Sequence, residues 1–304
     1  MRFNNLDLNL LVALDALLSE RSISRAAERV HLSQPAMSNA LSRLREYFND
    51  ELLVQVGRKM EPTPRAEGLA DAVRDVLVRV EATISTQPIF LPRESSRVFR
   101  LLVSDYTLST LMPYALALIY EEAPAVRIEL RAHVAHPARA LERADADMLI
   151  IPSEYCSSEH PMEVVLEEEF CCVLWKDSPL ARAPLTQETY LDAGHVVVLP
   201  GEGHPAMEDW FVPHLGVSRR VEVTTFSFAT SAQLVVGTQR IATVHRRLAK
   251  RVQEYAPIVI RDVPFPMPVM QQTLQWHAHR TADPGLTWLR GLLKESVTRM
   301  DRQN

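Results

Sequence analysis

The 304-residue chain lacks most of the features that catalysis, metal binding, export or membrane insertion would require. It holds only three cysteines, Cys156 and the adjacent pair Cys171 and Cys172, with no CxxC and no histidine spacing of the kind that binds zinc. The thiols are expected to be reduced and packed in a core, and the pair lies within a strand-like apolar run, a poor setting for a reactive thiolate. GxGxxG, GxSxG, HExxH and P-loop sequences are missing, so no enzyme is expected. His277 and His279 stand apart from acidic or thiol partners, and neither a metal nor a cofactor is expected. No apolar run approaches the roughly twenty residues that span a bilayer, and no apolar secretory segment is seen at the N-terminus. A soluble, cytoplasmic protein without a membrane partner is the expectation.

An overall positive charge is also missing, since the net charge is −5. Residues 21–65 depart from that balance, with eight Lys or Arg against five Asp or Glu. Local charge is what a nucleic-acid partner feels. A hydrophobic content of 47% over this length supports two or three domains.

What is present begins with Ser22 to Arg45, SISRAAERVHLSQPAMSNALSRLR. Ser22 and Ser33 each precede a periodic apolar segment, where a hydroxyl can accept from the orphan N–H groups of a first helical turn. Ile23, Ala26, Ala27 and Val30 fall on one face, and the small pair permits close helix approach. In the second helix Ala36, Met37, Ala40, Leu41 and Leu44 form the inward stripe, with Pro35 tolerated in the first turn. Gln34, Ser38, Asn39, Ser42, Arg43 and Arg45 face outward. Short amide and hydroxyl side chains near a helix N-terminus suit base edges in a major groove. A helix-turn-helix on double-stranded DNA is expected, with Ser22, Ser33, Gln34, Pro35, Ser38, Asn39, Ser42 and Arg43 as the DNA-binding residues and a solvated helix face as the alternative. Leu6 to Leu18 supplies a third helix beneath these two. Asp50 to Pro64 reads as a two-stranded wing with Arg58 and Lys59 at its tip, facing phosphate or a minor groove, or simply solvent.

The run AAERVHLSQPAMSNALSRLREYF, the wing and PTPRAEGLA resemble the LysR-type transcriptional regulators, and the likeness extends over essentially the whole chain. The start, MRFNNLDLNLLVALDALLSERS, is similar to the branch of nodulation-gene flavonoid sensors and regulators of nitroaromatic, salicylate and chlorinated-aromatic breakdown. Gln55 departs from the wing Arg of many relatives. The resemblance implies an effector-responsive regulator that activates its targets and represses itself, with a tetramer built as a dimer of dimers. RNA polymerase is an expected partner, and the effector is expected to be a phenolic or other small aromatic inducer.

Arg65 to Thr86 reads as a long helix in which Leu69, Val73, Val76 and Val80 alternate steps of four and three. Pairing with a second copy would hide this stripe, and packing within its own domain is the alternative. Gln87 to Ser96 reads as a linker.

From Arg97 a βαβαβ order predicts a parallel sheet: strand Val98 to Val103, helix Leu108 to Glu121, strand Val126 to Arg131, helix Pro137 to Ala144 and strand Met148 to Ile151. Further segments lie at Phe170 to Trp175, Val196 to Leu199, Ala206 to Phe211, Arg220 to Val223, Ala232 to Val236, Ile241 to Val244, Gln272 to Trp276 and Pro284 to Arg299. The resemblance implies that these build the bilobed, periplasmic-binding-protein-like effector domain of the family. The fold class is α/β with an all-α N-terminal part. The expected domains are 1–64, a winged helix-turn-helix; 65–90, a linker and dimerisation helix; and 91–304, effector-binding, with one lobe at 91–165 and 267–304 and the other at 166–266.

Open α/β sheets bind ligands beyond the carboxyl ends of their strands. Ser104, Asp105, Tyr106 and Thr107 follow the first strand and either cap a helix or hold a carboxylate, phenolate or nitro group. Pro152 follows the third strand. His204, in Pro200 to Pro205, either contacts a phenolic oxygen or belongs to a surface loop. Phe226 and Phe228, two apart on an expected strand, either stack on an aromatic guest or fill a core. His133, His136 and Trp276 complete the candidate rim. A DNA-architectural protein or ligand-independent repressor would share the reading head without needing two lobes.

Overall fold

The first helix, α1 (Leu8–Glu20), starts where the Asp7 carboxylate accepts the N–H of Asn9, and it buries Leu10, Leu14 and Leu17. This computed structural model describes residues 7–57, 59–84, 89–199 and 219–303. The chain divides into two compact units, with the sequence break between Thr86 and Gln87.

In the first unit the Ser22 hydroxyl accepts the Arg25 N–H at 3.4 Å and opens α2 (Ile23–Arg29). His31 reverses the chain at φ +55, and Leu32 N–H closes the helix end on Ala27 O at 2.9 Å. The Ser33 hydroxyl then accepts the Ala36 N–H at 3.3 Å at the start of α3 (Gln34–Phe48). Met37, Leu41, Leu44 and Phe48 are the buried stripe of α3, joining Leu14, Leu17, Ala26 and Ala27 in one core. Ala36, expected inward, is exposed, because it lies one residue and so about 100° out of phase with that stripe.

β1 (Leu53–Val56) and β2 (Lys59–Pro62) pair antiparallel, with Gly57 at φ +63 in the turn. The Asp50 carboxylate accepts from Leu52 N–H at 2.7 Å and from the Thr63 hydroxyl at 2.6 Å, fastening both ends of the hairpin. α4 (Pro64–Ile84) follows, with proline in its first position, where no N–H is missed. Its stripe is divided. Val73 is buried in the core of this unit and Leu69 packs against it, so these two are already used within their own domain. Val76 is 40% exposed, and Val80 is half-buried. Buried Arg74 holds α4 to α1, donating to Asp15 and to the Ser19 hydroxyl, each at 2.6 Å.

The second unit contains two five-stranded sheets. In the first, β3 (Val98–Val103) runs parallel to β4 (Arg127–Ala132) and to β5 (Met148–Pro152). The connections are α5 (Asp105–Thr110), α6 (Met112–Glu122) and α7 (Pro137–Glu142). The single helix expected over Leu108 to Glu121 is therefore two, and Pro113 opens the second because it has no N–H to continue the first. β6 (Met162–Glu168) leaves this sheet for β7 (Phe170–Trp175) of the second, and β12 (Met270–Gln275) returns, antiparallel to β5 and β6. The return strand makes the expected parallel sheet mixed.

The second sheet has the order β11 (Ile258–Arg261), β7, β10 (Ile241–His245), β8 (Gly194–Val198), β9 (Arg220–Thr225). α8 (Gln187–Asp192), α9 (Phe228–Ser231) and α10 (Arg246–Gln253) connect it, and α11 (Pro284–Gln303) closes the chain on the first sheet. Residues 232–236 form turns, and the helix expected at 206–211 lies outside the described residues. Phe99, Leu101, Ile150, Leu274, Leu289 and Leu293 are central to the larger core.

Leu44 is fully buried, so Leu44→Ala is expected to cost about 2–5 kcal/mol of stability in the first unit. Its melting should move down while that of the second unit stays, as read by hydrogen exchange on α3 and on β3.

Candidate functional sites: a recognition helix and a cleft between two sheets

Along α3 the side chains of Gln34, Ser38, Asn39, Ser42 and Arg43 are exposed, and among the described residues none makes a hydrogen bond or ion pair. Pro35 is exposed beside them. Ser22 and Ser33 are helix caps, so their hydroxyls already accept from the backbone. Arg45, expected to face outward, instead donates to Glu51 O and Leu53 O, both at 2.8 Å, and pairs with the Glu51 carboxylate. It builds the wing from within. Lys59 is exposed at the start of β2, and Arg58 lies outside the described residues.

In the second unit the carboxyl ends of strands from both sheets converge on a cavity of about 370 Å³. Val103 and Ser104 end β3, Ala132 and His133 end β4, and Pro152 ends β5. Facing them are Phe226, Ser227 and Phe228 after β9, and His245 at the end of β10; Met270 and Gln272 of the return crossing complete the wall with Asp105 and Tyr106. This is where the dipoles and loops of such sheets receive a ligand.

Several expected members are arranged differently from the reading of the sequence. Phe226 and Phe228 line the cavity, but β9 ends before them: Phe226 is 81% exposed at a bend, whereas Phe228 opens α9 and packs on the core of the second sheet. Thr107 is buried behind the cavity, donating its N–H to the Ser104 hydroxyl at 3.2 Å and accepting from Gln272 Nε2 at 3.1 Å. The Ser104 hydroxyl thus both caps α5 and faces the cavity. The Thr107 and Leu108 N–H groups of α5 are used by that cap, bonding to the Ser104 hydroxyl and carbonyl. His136 is exposed outside the lining. Trp276 is core: its indole donates to the Thr281 hydroxyl at 3.2 Å, and the Arg290 guanidinium lies 4.0 Å above its ring. A large apolar ring following β12 buries itself where α11 covers the first sheet. His133 is held by its Nε2 at 3.0 Å from Ile150 O. His204 lies outside the described residues.

Among the described lining residues Asp105 is the only formally charged side chain, and none is a cation. Its Oδ2 crosses to the other sheet's loops, accepting from the Ser227 hydroxyl at 2.6 Å and from Ala229 N–H at 3.0 Å. Tyr106 reaches the other way, donating its hydroxyl to Glu168, and burial beside that carboxylate pushes the phenol well above its ordinary pKa. Glu168 also accepts from Arg247 N–H at 3.2 Å and from the Arg247 guanidinium at 3.0 Å.

His245 is a lining residue that the sequence reading missed. It is stacked among Tyr106, Phe170 and Phe228, with ring centroids 4.2, 5.0 and 5.4 Å away. Burial lowers its pKa to about 4. Among the cysteines, burial raises Cys171 to about 12 and Cys156 to about 11, so neither is a thiolate at neutral pH. Among the described residues no cluster of three or more His, Cys, Asp or Glu could hold a metal ion, and no helix is long and apolar enough to cross a membrane.

A winged helix-turn-helix followed by a two-sheet domain with an interior cleft defines a DNA-binding protein that answers to a small molecule. Residues 8–67 match the bacterial regulatory helix-turn-helix protein model of the lysR family, and residues 92–298 match the LysR substrate binding domain. The chain belongs to the LysR family of transcriptional regulators. It is 42% identical over 305 aligned residues to nodulation protein D 2 of Rhizobium leguminosarum bv. phaseoli, covering 100% of this chain and 96% of that one. It superposes on a probable transcriptional regulator from Pseudomonas aeruginosa with TM-score 0.66 at 29% identity, covering 96% and 97% of the two chains. Full-length OxyR from Pseudomonas aeruginosa shares the fold with TM-score 0.74 at 21% identity, covering 96% and 94%.

The buried histidines make a prediction for pH. Burial lowers both His195 and His245 to about 4, below the ordinary 6.5 that holds in the unfolded chain. The unfolded state therefore takes up protons first as pH falls below about 6.5, and the folded state loses stability progressively down to about pH 4. The melting temperature of the second unit should drop between pH 7 and pH 5, and His245→Phe should flatten that slope. A slope unchanged in the variant would refute the assignment.

Proposed function

We propose that the chain activates transcription of genes for metabolism of, or response to, a small uncharged aromatic compound, which it binds in the cleft between its two sheets. The observation that carries this reading is the lining itself. Phe226, Phe228 and Tyr106 offer aromatic surface, Val103, Pro152 and Met270 offer apolar surface, and the one charge is a carboxylate. A benzoate-like anion would meet Asp105 with no Arg or Lys among the described lining residues to neutralise it, whereas a phenol or hydroquinone can donate to the hydroxyls and carboxylate there. Chlorinated, nitrated and flavonoid phenols fall in the same class.

In this reading residues 1–64 read DNA, 65–90 link and pair subunits, and 91–304 sense the effector. Gln34, Ser38, Asn39 and Ser42 face base edges, while Arg43, Lys59 and Arg58 contact phosphate or a minor groove. Exposed Val76 and half-buried Val80 are the part of the α4 stripe left for a second copy, so pairing uses the distal half of that helix. A dimer, or a dimer of dimers, then sets two heads on a pseudo-palindromic promoter site and meets RNA polymerase beside it. Asp105 couples the lobes: a ligand that rearranges its bonds to Ser227 and Ala229 favours one lobe arrangement over another.

The test is a thermal-shift series on the full chain with phenol, hydroquinone, a hydroxyflavone, benzoate and salicylate. The uncharged phenols should raise the melting temperature by mass action and the carboxylates should not. Stabilisation by the carboxylates alone would overturn the reading. On the DNA side, Gln34→Ala or Ser38→Ala should weaken the specific site by about 1–3 kcal/mol while sparing non-specific DNA. An unchanged ratio of specific to non-specific affinity would remove these residues from base readout.

A further inference from the structure

We infer that His245 is the residue of the second sheet that selects the effector, by accepting a hydrogen bond from an uncharged hydroxyl on the aromatic ligand; this rests on the cleft reading above. His245 is only 5% exposed, yet its Nδ1 is enclosed without a partner, and among the described residues its ring makes no hydrogen bond at all. A buried polar group left unmade is costly, and native structures rarely carry one without a role. The ring is nonetheless firmly placed, at the carboxyl end of β10 among Tyr106, Phe170 and Phe228, and it belongs to the cleft lining.

A neutral imidazole offers one N–H and one bare nitrogen. Desolvation, which depresses its pKa to about 4, keeps it in that form at neutral pH. Every other polar side chain of the described wall already makes at least one hydrogen bond: Asp105 with Ser227 and Ala229, Gln272 with Thr107, His133 with Ile150 O, Tyr106 with Glu168, and Ser104 with Thr107. The imidazole of His245 makes none, and Nε2 is its ring nitrogen that is not enclosed. A phenolic hydroxyl lying against the Phe228 ring would supply the missing donor, without any transfer of the proton, while the rest of the aromatic framework covers apolar wall. A methyl ether of the same compound keeps the shape but has no proton to give.

The experiment is titration calorimetry on the full chain with a hydroxyflavone and its methyl ether. The parent protein should prefer the hydroxyl compound by roughly tenfold, the size of one neutral hydrogen bond. His245→Phe, which retains a ring for the stack, should bring that ratio to about one whatever it does to the ether's own affinity. A preference that survives in His245→Phe overturns the inference while the cleft reading stands. Phe228→Ala is the control for the cleft: if it leaves both affinities unaltered, the cleft reading fails and the inference falls with it. Should His245→Phe fold poorly, the ring nitrogens can be followed in the parent protein by nitrogen NMR. A His245 nitrogen should then shift with the hydroxyl ligand and stay put with the ether, and equal shifts would count against the proposal.

Discussion

Glu168 is a carboxylate with 1% exposure at the point where the first crossing enters the second sheet. Only two crossings join the sheets, so the shape of the cleft depends on how that junction is held. Glu168 takes the Tyr106 hydroxyl from the side of the first sheet and the main chain and guanidinium of Arg247 from the side of the second. Arg247 then continues to Asp301 of α11 at 3.0 Å. A buried charge satisfied on three sides is tolerable, whereas loss of one partner would leave it uncompensated. The junction is therefore specified tightly, and the groups around it are presented to the cleft in fixed positions.

That rigidity at the back contrasts with the contact at the front. Across the cavity mouth, the direct hydrogen bonds run from Ser227 and Ala229 to one oxygen of Asp105. Such a contact is easily exchanged for ligand or water bonds, since a net hydrogen bond to a charged group contributes on the order of 1.5–3 kcal/mol. A stiff hinge with a weak clasp is the mechanical arrangement in which a small molecule can alter a domain. In the first unit Arg74 ties α4 to α1 through Asp15 and Ser19, fastening the long helix to the reading head.

Much of this was legible in the residues, and the exceptions have physical causes. Ser22 and Ser33 announced two helix starts by their chemistry, β7 read correctly from a continuous apolar run, and β3 from an apolar run interrupted only by Arg100. The phase of α3 was ambiguous at Ala36, because alanine is equally at home inside and outside. Arg45 reads as outward-facing, to water or nucleic acid, because a sequence does not reveal that two wing carbonyls lie within its reach. Leu69 and Val73 have the spacing of a dimer seam, but a helix carries several overlapping stripes and the local core claimed that one. In the cleft, Ser104, Asp105, Tyr106, His133 and Pro152 follow from strand ends, and Phe226 and Phe228 from two-residue spacing on an expected strand that in fact ends at Thr225. Trp276 followed the same rule and failed, since β12 runs opposite to its neighbours and its carboxyl end points away from the cavity. His245 was overlooked because a single histidine at a strand end carries no local pattern; only packing shows that it is buried and unpartnered.

An effector-responsive regulator requires coupling between the cleft and the duplex. The most direct test is to measure the affinity of one uncharged phenolic ligand for the full chain in the absence and then in the presence of saturating promoter DNA. Linkage requires the ligand's dissociation constant to change by the same factor by which the ligand changes the DNA affinity. A matched, non-unit factor is the predicted result, and a ligand that binds tightly but with the same affinity in both conditions would contradict the account.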